Sequence, residues 1–122
     1  MQTNELIDEA LDWAVAKCEG RGYVMDETEY APDGRTYQRG TAQATGPHYS
    51  TDWSQGGPII EREGITTICW NKNPDQWHAR RWLELDGPAS TVFTASTPLI
   101  AAMRCYVASK LGDDVEIPEE LV

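Results

Sequence analysis

The run Thr97-Pro98-Leu99-Ile100-Ala101-Ala102-Met103-Arg104-Cys105-Tyr106-Val107-Ala108-Ser109-Lys110-Leu111-Gly112 constrains the fold of this chain more than any other feature. Thr97 is a good N-cap, and Pro98 suits the first helical position because its missing N–H has no intrahelical partner there. Leu99, Met103, Val107 and Leu111 recur every fourth residue, with Ile100 and Tyr106 beside them, so one long face is apolar. Lys110 complements the negative end of the helix and Gly112 stops it. A second helix is predicted over residues 4–19, capped by Thr3 or Asn4, with Ile7, Leu11, Ala14 and Cys18 as its stripe. Leu6, Ala10 and Trp13 widen that stripe, and Gly20 and Gly22 follow it.

Between these helices the chain reads as strands and turns. Tyr23-Val24-Met25 begins a strand, Ala31-Pro32-Asp33-Gly34-Arg35 is a turn, and Thr36-Tyr37-Gln38 returns as the second arm of a hairpin. Residues 40–58 are rich in Gly, Thr, Ser and Pro and read as an ordered surface loop, since Tyr49 and Trp53 argue against disorder. Pro58 is placed to open a short helix that Gly64 ends. The β-branched run Ile65-Thr66-Thr67-Ile68-Cys69-Trp70 is a strand; residues 77–85 and 91–95 supply two more across turns at 71–75 and 86–88. The expected architecture is α+β: an antiparallel sheet of three to five strands with two amphipathic helices packed on one face. The length of 122 residues suits one domain, 1–122, ending in an acidic tail at 113–122.

The charge balance narrows the function. Twenty acids against ten bases give a net charge of −10. Such a chain repels nucleic-acid phosphates and anionic membrane surfaces, so direct nucleic-acid binding and membrane association are not expected. The acidic start lacks the basic and apolar regions of a signal peptide, and no run approaches the ~20 apolar residues of a membrane span. Cys18, Cys69 and Cys105 are far apart and odd in number, which fits a reducing cytoplasm better than a disulfide framework.

The most suggestive local chemistry lies in Tyr49, Asp52, Trp53, Ser54, Gln55, Gly56, Gly57 and Ile59. Consecutive glycines before a helix that starts at Pro58 would leave main-chain donors open to a phosphate or carboxylate, and Trp53 would offer a face for a base. Trp77 and Arg80 add an arginine beside an aromatic ring, a pairing suited to phosphate. Trp53 and Trp77 are therefore assigned to recognition, and Trp13 and Trp70 to the core or its edge. Against these stand plain readings: a Gly-Gly turn, and Arg80 and Arg81 as solvated side chains over apolar neighbours. His48, Asp52 and His78 do not make a metal-ligand set. Ser50, Thr51 and Ser54 lack the setting of an activated nucleophile, and Glu61, Arg62 and Glu63 read as a solvated helix end. No catalytic residue, metal ligand or cofactor is assigned.

Three blocks have a collective likeness. They are Trp13-Ala14-Val15-Ala16-Lys17-Cys18-Glu19-Gly20, then Tyr49-Ser50-Thr51-Asp52-Trp53-Ser54-Gln55-Gly56-Gly57-Pro58-Ile59-Ile60-Glu61, then Thr97-Pro98-Leu99-Ile100-Ala101-Ala102-Met103-Arg104-Cys105. In that order they resemble the signature blocks of the NinX-like family of small proteins from tailed phages and prophages. The resemblance spans most of the chain but not residues 23–46. It implies a phage origin and a place in the cytoplasm of an infected bacterium; it transfers no site residue. The expected function is a phage accessory protein that binds a small anionic, nucleotide-type ligand, sequestering a host-defence signal, as a homo-oligomer. The alternatives are an acidic inhibitor of a basic host protein and a small hydrolase of a nucleotide-like substrate.

Overall fold

A computed structural model describes residues 1–38, 44–69, 77–81 and 92–122. Helix α1 (Asp8–Cys18) leads to a meander of three short strands, β1 (Tyr23–Met25), β2 (Thr28–Tyr30) and β3 (Thr36–Gln38). Helix α2 (Trp53–Glu63) follows, then a second meander of β4 (Ile65–Cys69), β5 (Trp77–Arg81) and β6 (Phe93–Ala95), and finally α3 (Pro98–Leu111). Both sheets are antiparallel in the order of the chain. The fold is α+β as expected, but its strands form two three-stranded sheets and its helices number three among the described residues. The predicted turns at 71–75 and 86–88, Trp70, and the far part of the second strand lie outside the described residues.

Helix α3 is the spine. Leu99, Ala101, Ala102, Met103, Cys105, Tyr106 and Val107 are all buried, so the helix is enclosed on most sides rather than along one stripe. It packs on β4, β5 and β6 and also touches α1 and α2. The Thr97 hydroxyl accepts the Ile100 amide at 3.1 Å, with Pro98 next, as the capping pattern predicts. Helix α1 lays Leu11, Ala14 and Val15 against this core. It ends where Gly20 turns left-handed and the Arg21 amide donates to the Ala16 carbonyl.

Three local expectations need correction. Helix α1 starts at Asp8, not near residue 4, because the polar residues expected to cap it are engaged elsewhere. The Thr3 hydroxyl donates to the Gly112 carbonyl at 2.6 Å and Asn4 Oδ1 accepts the Thr94 amide at 3.2 Å, which fastens the N-terminal segment to the end of α3 and to β6. The partner of β1 is not residues 36–38 but β2, which occupies the polar stretch after a two-residue turn at Asp26 and Glu27. Strand β3 pairs with the other edge of β2. Pro58 does not open a helix: α2 begins five residues earlier and carries Pro58 inside it.

The two glycines of α2 are therefore helical, and they differ. A β-carbon on Gly56 would overlap the Tyr49 carbonyl oxygen and Leu99 Cδ1, whereas one on Gly57 would meet only the Trp53 ring, at 4.0 Å. Gly56 is the close approach that lets α2 sit against α3 and the 49–52 turn. Gly56→Ala is expected to lower unfolding free energy by about 1–3 kcal/mol through overpacking. Gly57→Ala is expected to raise it by about 0.5–1 kcal/mol through helix propensity. Denaturant unfolding of the two variants measures both signs.

Candidate functional site

The residues singled out around α2 are drawn together, but not as an open anion site. Asp52 caps the helix with its own carboxylate: Oδ1 accepts the Ser54 amide at 2.9 Å and the Ser54 hydroxyl at 2.6 Å, and Oδ2 accepts the Gln55 side-chain amide at 3.0 Å. Gln55 Oε1 accepts the His48 amide at 2.6 Å, and the amides of Gln55 and Gly56 donate to the Asp52 carbonyl. The donors expected to be open are thus bonded within the protein, and the positive end of the helix already faces a negative charge. Hydrogen bonds from the Ser54 hydroxyl, then its amide, hold the Asp52 carboxyl below its usual range. Tyr49 and Ile59 are core residues, while Trp53 is 54% exposed. Trp77 and Arg80 stand on β5, opposite Cys69 and Thr66 respectively.

Asp12 forms a second cluster, on the buried side of α1. Its Oδ1 accepts the Ser50 amide at 2.8 Å, and Oδ2 lies 3.9 Å from His48 Nδ1. Burial pushes this carboxyl above its usual range, against the lowering effect of Ser50 and His48. The hydrogen bond anchors the turn that precedes α2. A small hollow beside it is lined by Asp8, Glu9, Asp12, Tyr23, Thr45, His48 and Thr51, yet no group of three metal-ligating side chains occurs among the described residues. Burial also pushes the Cys18 thiol up to about 11, so it stays protonated at neutral pH and is a poor nucleophile.

A third arrangement, around Arg62, was not expected from the charge pattern. Its Nη1 and Nη2 donate to the two oxygens of Glu19 at 3.0 and 2.7 Å, its Nε donates to Glu63 at 2.9 Å, and its guanidinium lies 5.6 Å from the centre of the Tyr106 ring. The Tyr106 hydroxyl donates to Glu19 at 2.5 Å, and Arg81 approaches Glu63 at 3.7 Å. Arg62 stays half exposed, as a solvated helix end would, but with Glu63 it also joins the end of α1 to α2, α3 and β5. Arg62, then Tyr106, hold the Glu19 carboxyl below its usual range despite partial burial. The stabilisation from Glu19 is thus full above its unfolded value near 4.5 and fades as pH falls through the folded one.

The remaining arrangement is a groove between α1 and the β2–β3 hairpin, closed at one side by Pro118. Trp13 and Lys17 are one helical turn apart, so the Lys17 ammonium lies over the indole at 5.3 Å. Arg21, four residues further on, reaches the same groove just past the end of α1. From the other wall come Tyr30 and Arg35. The turn that carries Arg35 is closed by the Ala31 amide donating to the Arg35 carbonyl at 2.8 Å, and Asp33 accepts the Arg35 amide at 2.9 Å. Three of the ten basic residues of an acidic chain thus meet beside two aromatic rings. Trp13 packs partly buried against the core, as expected, and also lines this groove, a second role that the sequence reading did not assign. The spacing of four from Trp13 to Lys17 to Arg21 was the readable signal.

Among the described residues no helix is long and apolar enough to cross a membrane. The chain is a small α+β protein of bacteriophage type. It belongs to the family described as bacteriophage P22 NinX, which matches residues 2–110. No curated protein matches it.

The Asp12 contact gives a direct test. Asp12→Ala strands the buried Ser50 amide and is expected to cost about 1–3 kcal/mol. Asp12→Asn keeps an acceptor without a buried charge and is expected to be at least as stable as wild type at pH 7. Because burial raises the folded Asp12 pKa above the unfolded value of 3.8, the folded carboxyl protonates first, and any advantage of the asparagine shrinks as pH falls through the folded value towards 3.8. Thermal unfolding between pH 4 and 7 reads this difference.

Proposed function

We propose that this phage protein is a binding protein for a small anionic, nucleotide-type ligand, held in the groove between α1 and the β2–β3 hairpin. The observation that carries this reading is the convergence of Lys17, Arg21 and Arg35 on Trp13 and Tyr30 in a chain that is otherwise strongly acidic. A ring can stack against Trp13, the partly exposed aromatic of the groove, while phosphates take charge-assisted hydrogen bonds from the arginines. The proposed role is sequestration of a defence signal in the cytoplasm of the infected host. Such a role needs affinity and no turnover. Trp53, exposed at the start of α2, is a separate surface in this reading rather than the ligand's platform.

Calorimetry against cyclic nucleotides and ADP-ribose derivatives tests the proposal. One member of the panel is expected to bind, with affinity that falls as salt rises. Arg21→Ala is expected to weaken it about tenfold or more, since a hydrogen bond to a charged group contributes about 1.5–3 kcal/mol, and Trp53→Ala is expected to leave it unchanged. A panel without a binder, or an Arg21→Ala protein that binds as wild type does, contradicts the reading. A native mass spectrum of protein from infected cells reads the retained molecule and the subunit number together.

A further inference from the structure

We infer that Arg62, which lies outside the groove, is a positioning residue for it: by holding both oxygens of Glu19, it keeps that carboxylate from neutralising Arg21. The inference rests on the groove being an anion site. Glu19 and Arg21 flank Gly20 at the end of α1, and the two side chains already interact electrostatically. Released from Arg62, a carboxylate two residues from an arginine is free to pair with it, and an exposed arginine so paired has less to offer a phosphate.

The geometry shows where Glu19 goes instead. Oε1 accepts Arg62 Nη1 at 3.0 Å; Oε2 accepts Arg62 Nη2 at 2.7 Å and the Tyr106 hydroxyl at 2.5 Å. This is a planar fork on a planar carboxylate, the arrangement that arginine makes and lysine does not. Arg62 is itself oriented by Glu63, through Nε at 2.9 Å, and by the face of Tyr106. The Glu19 side chain is only 14% exposed, so the fork turns it inward, away from the open groove into which Arg21 reaches. One cation thereby engages both oxygens of Glu19, and Arg21 remains available to the groove.

Two readouts separate this inference from the groove reading. The first needs no ligand: the rate at which phenylglyoxal modifies Arg21, followed by peptide mass spectrometry with Arg35 as internal reference. Arg62→Gln is expected to slow labelling of Arg21 several-fold relative to Arg35, and the double variant Arg62→Gln with Glu19→Gln is expected to restore it. The second is binding of inorganic pyrophosphate. The single variant is expected to bind about tenfold more weakly than wild type, and the double variant to recover to within about twofold. Arg62→Lys, which cannot make the fork, is expected to fall between wild type and Arg62→Gln. A purely structural role for Arg62 predicts no recovery, because Glu19→Gln removes a further partner of the same network. Unchanged Arg21 labelling in Arg62→Gln, or a double variant as impaired as the single one, overturns the inference. Pyrophosphate that fails to bind wild-type protein overturns the groove reading instead, while the labelling still decides the role of Arg62.

Discussion

Enclosure of α3 is the constraint on which the rest of the structure depends. A helix whose Leu99, Met103, Cys105, Tyr106 and Val107 are all shielded from water must be covered from several directions, and α1, α2 and the second sheet supply the cover. The few polar groups on such a helix cannot be left idle. Arg104 donates through Nε to the Leu6 carbonyl at 2.9 Å and through Nη1 to the Thr94 carbonyl at 2.6 Å, which stitches the N-terminal segment and β6 to the spine. Tyr106 sends its hydroxyl to Glu19 and offers its ring to Arg62. The core and the charge network are thus one construction: the side chain that fills the interior also orients the ion pair at its rim.

Electrostatics decides what such a molecule can bind. The overall charge repels anions at a distance, but at physiological salt that repulsion decays over about 8 Å. In the proposed reading a ligand inside the groove is governed by the groups that line it, among them Lys17, Arg21 and Arg35. The Lys17 ammonium is held over the Trp13 ring, and Arg35 is only loosely paired with Asp33 at 3.6 Å on an exposed turn. Such weak pairs are easily exchanged for a phosphate. At the start of α2 the reverse holds. Asp52 brings its own carboxylate to the helix end, where the Ser54 amide and hydroxyl and the Gln55 side chain bond to it, so an incoming anion meets donors already engaged and a negative charge in place.

Elements set by local chemistry were legible in the sequence. The cap and first residue of α3, the buried Leu11 and Ala14 of α1 and the β-branched β4 follow from spacing and side-chain shape; Ile7, expected in the same stripe, precedes the helix and is exposed. What was illegible depended on distant partners. Asp26 to Tyr30 lacks a strand signature, and β2 exists because it is the central strand of a meander whose other strands flank it. The Gly56-Gly57 pair reads as a loop ahead of a helix opening at Pro58. It is helical because Asp52 caps it and because Gly56 must pass within reach of the Tyr49 carbonyl, a demand of packing that outweighs propensity. Thr3 and Asn4 had the chemistry of caps and used it on Gly112 and Thr94. The groove was half legible: Trp13, Lys17 and Arg21 announce one face of a helix, but only the folded hairpin brings Tyr30 and Arg35 opposite them. The pairing of Arg62 with Glu19 joins residues 43 positions apart and had no signal in the sequence at all.

The central claim is that negative charge binds beside Trp13 and not at the Gly56–Gly57 amides. The most direct measurement is a titration of the isotope-labelled protein with ADP-ribose, followed by amide and arginine side-chain NMR shifts. Saturable shifts at Lys17, Arg21, Tyr30 and Gly34, with Ser54, Gln55, Gly56 and Gly57 unmoved, are the predicted result. Shifts confined to residues 53–57 while those around Arg21 stay still would contradict the account.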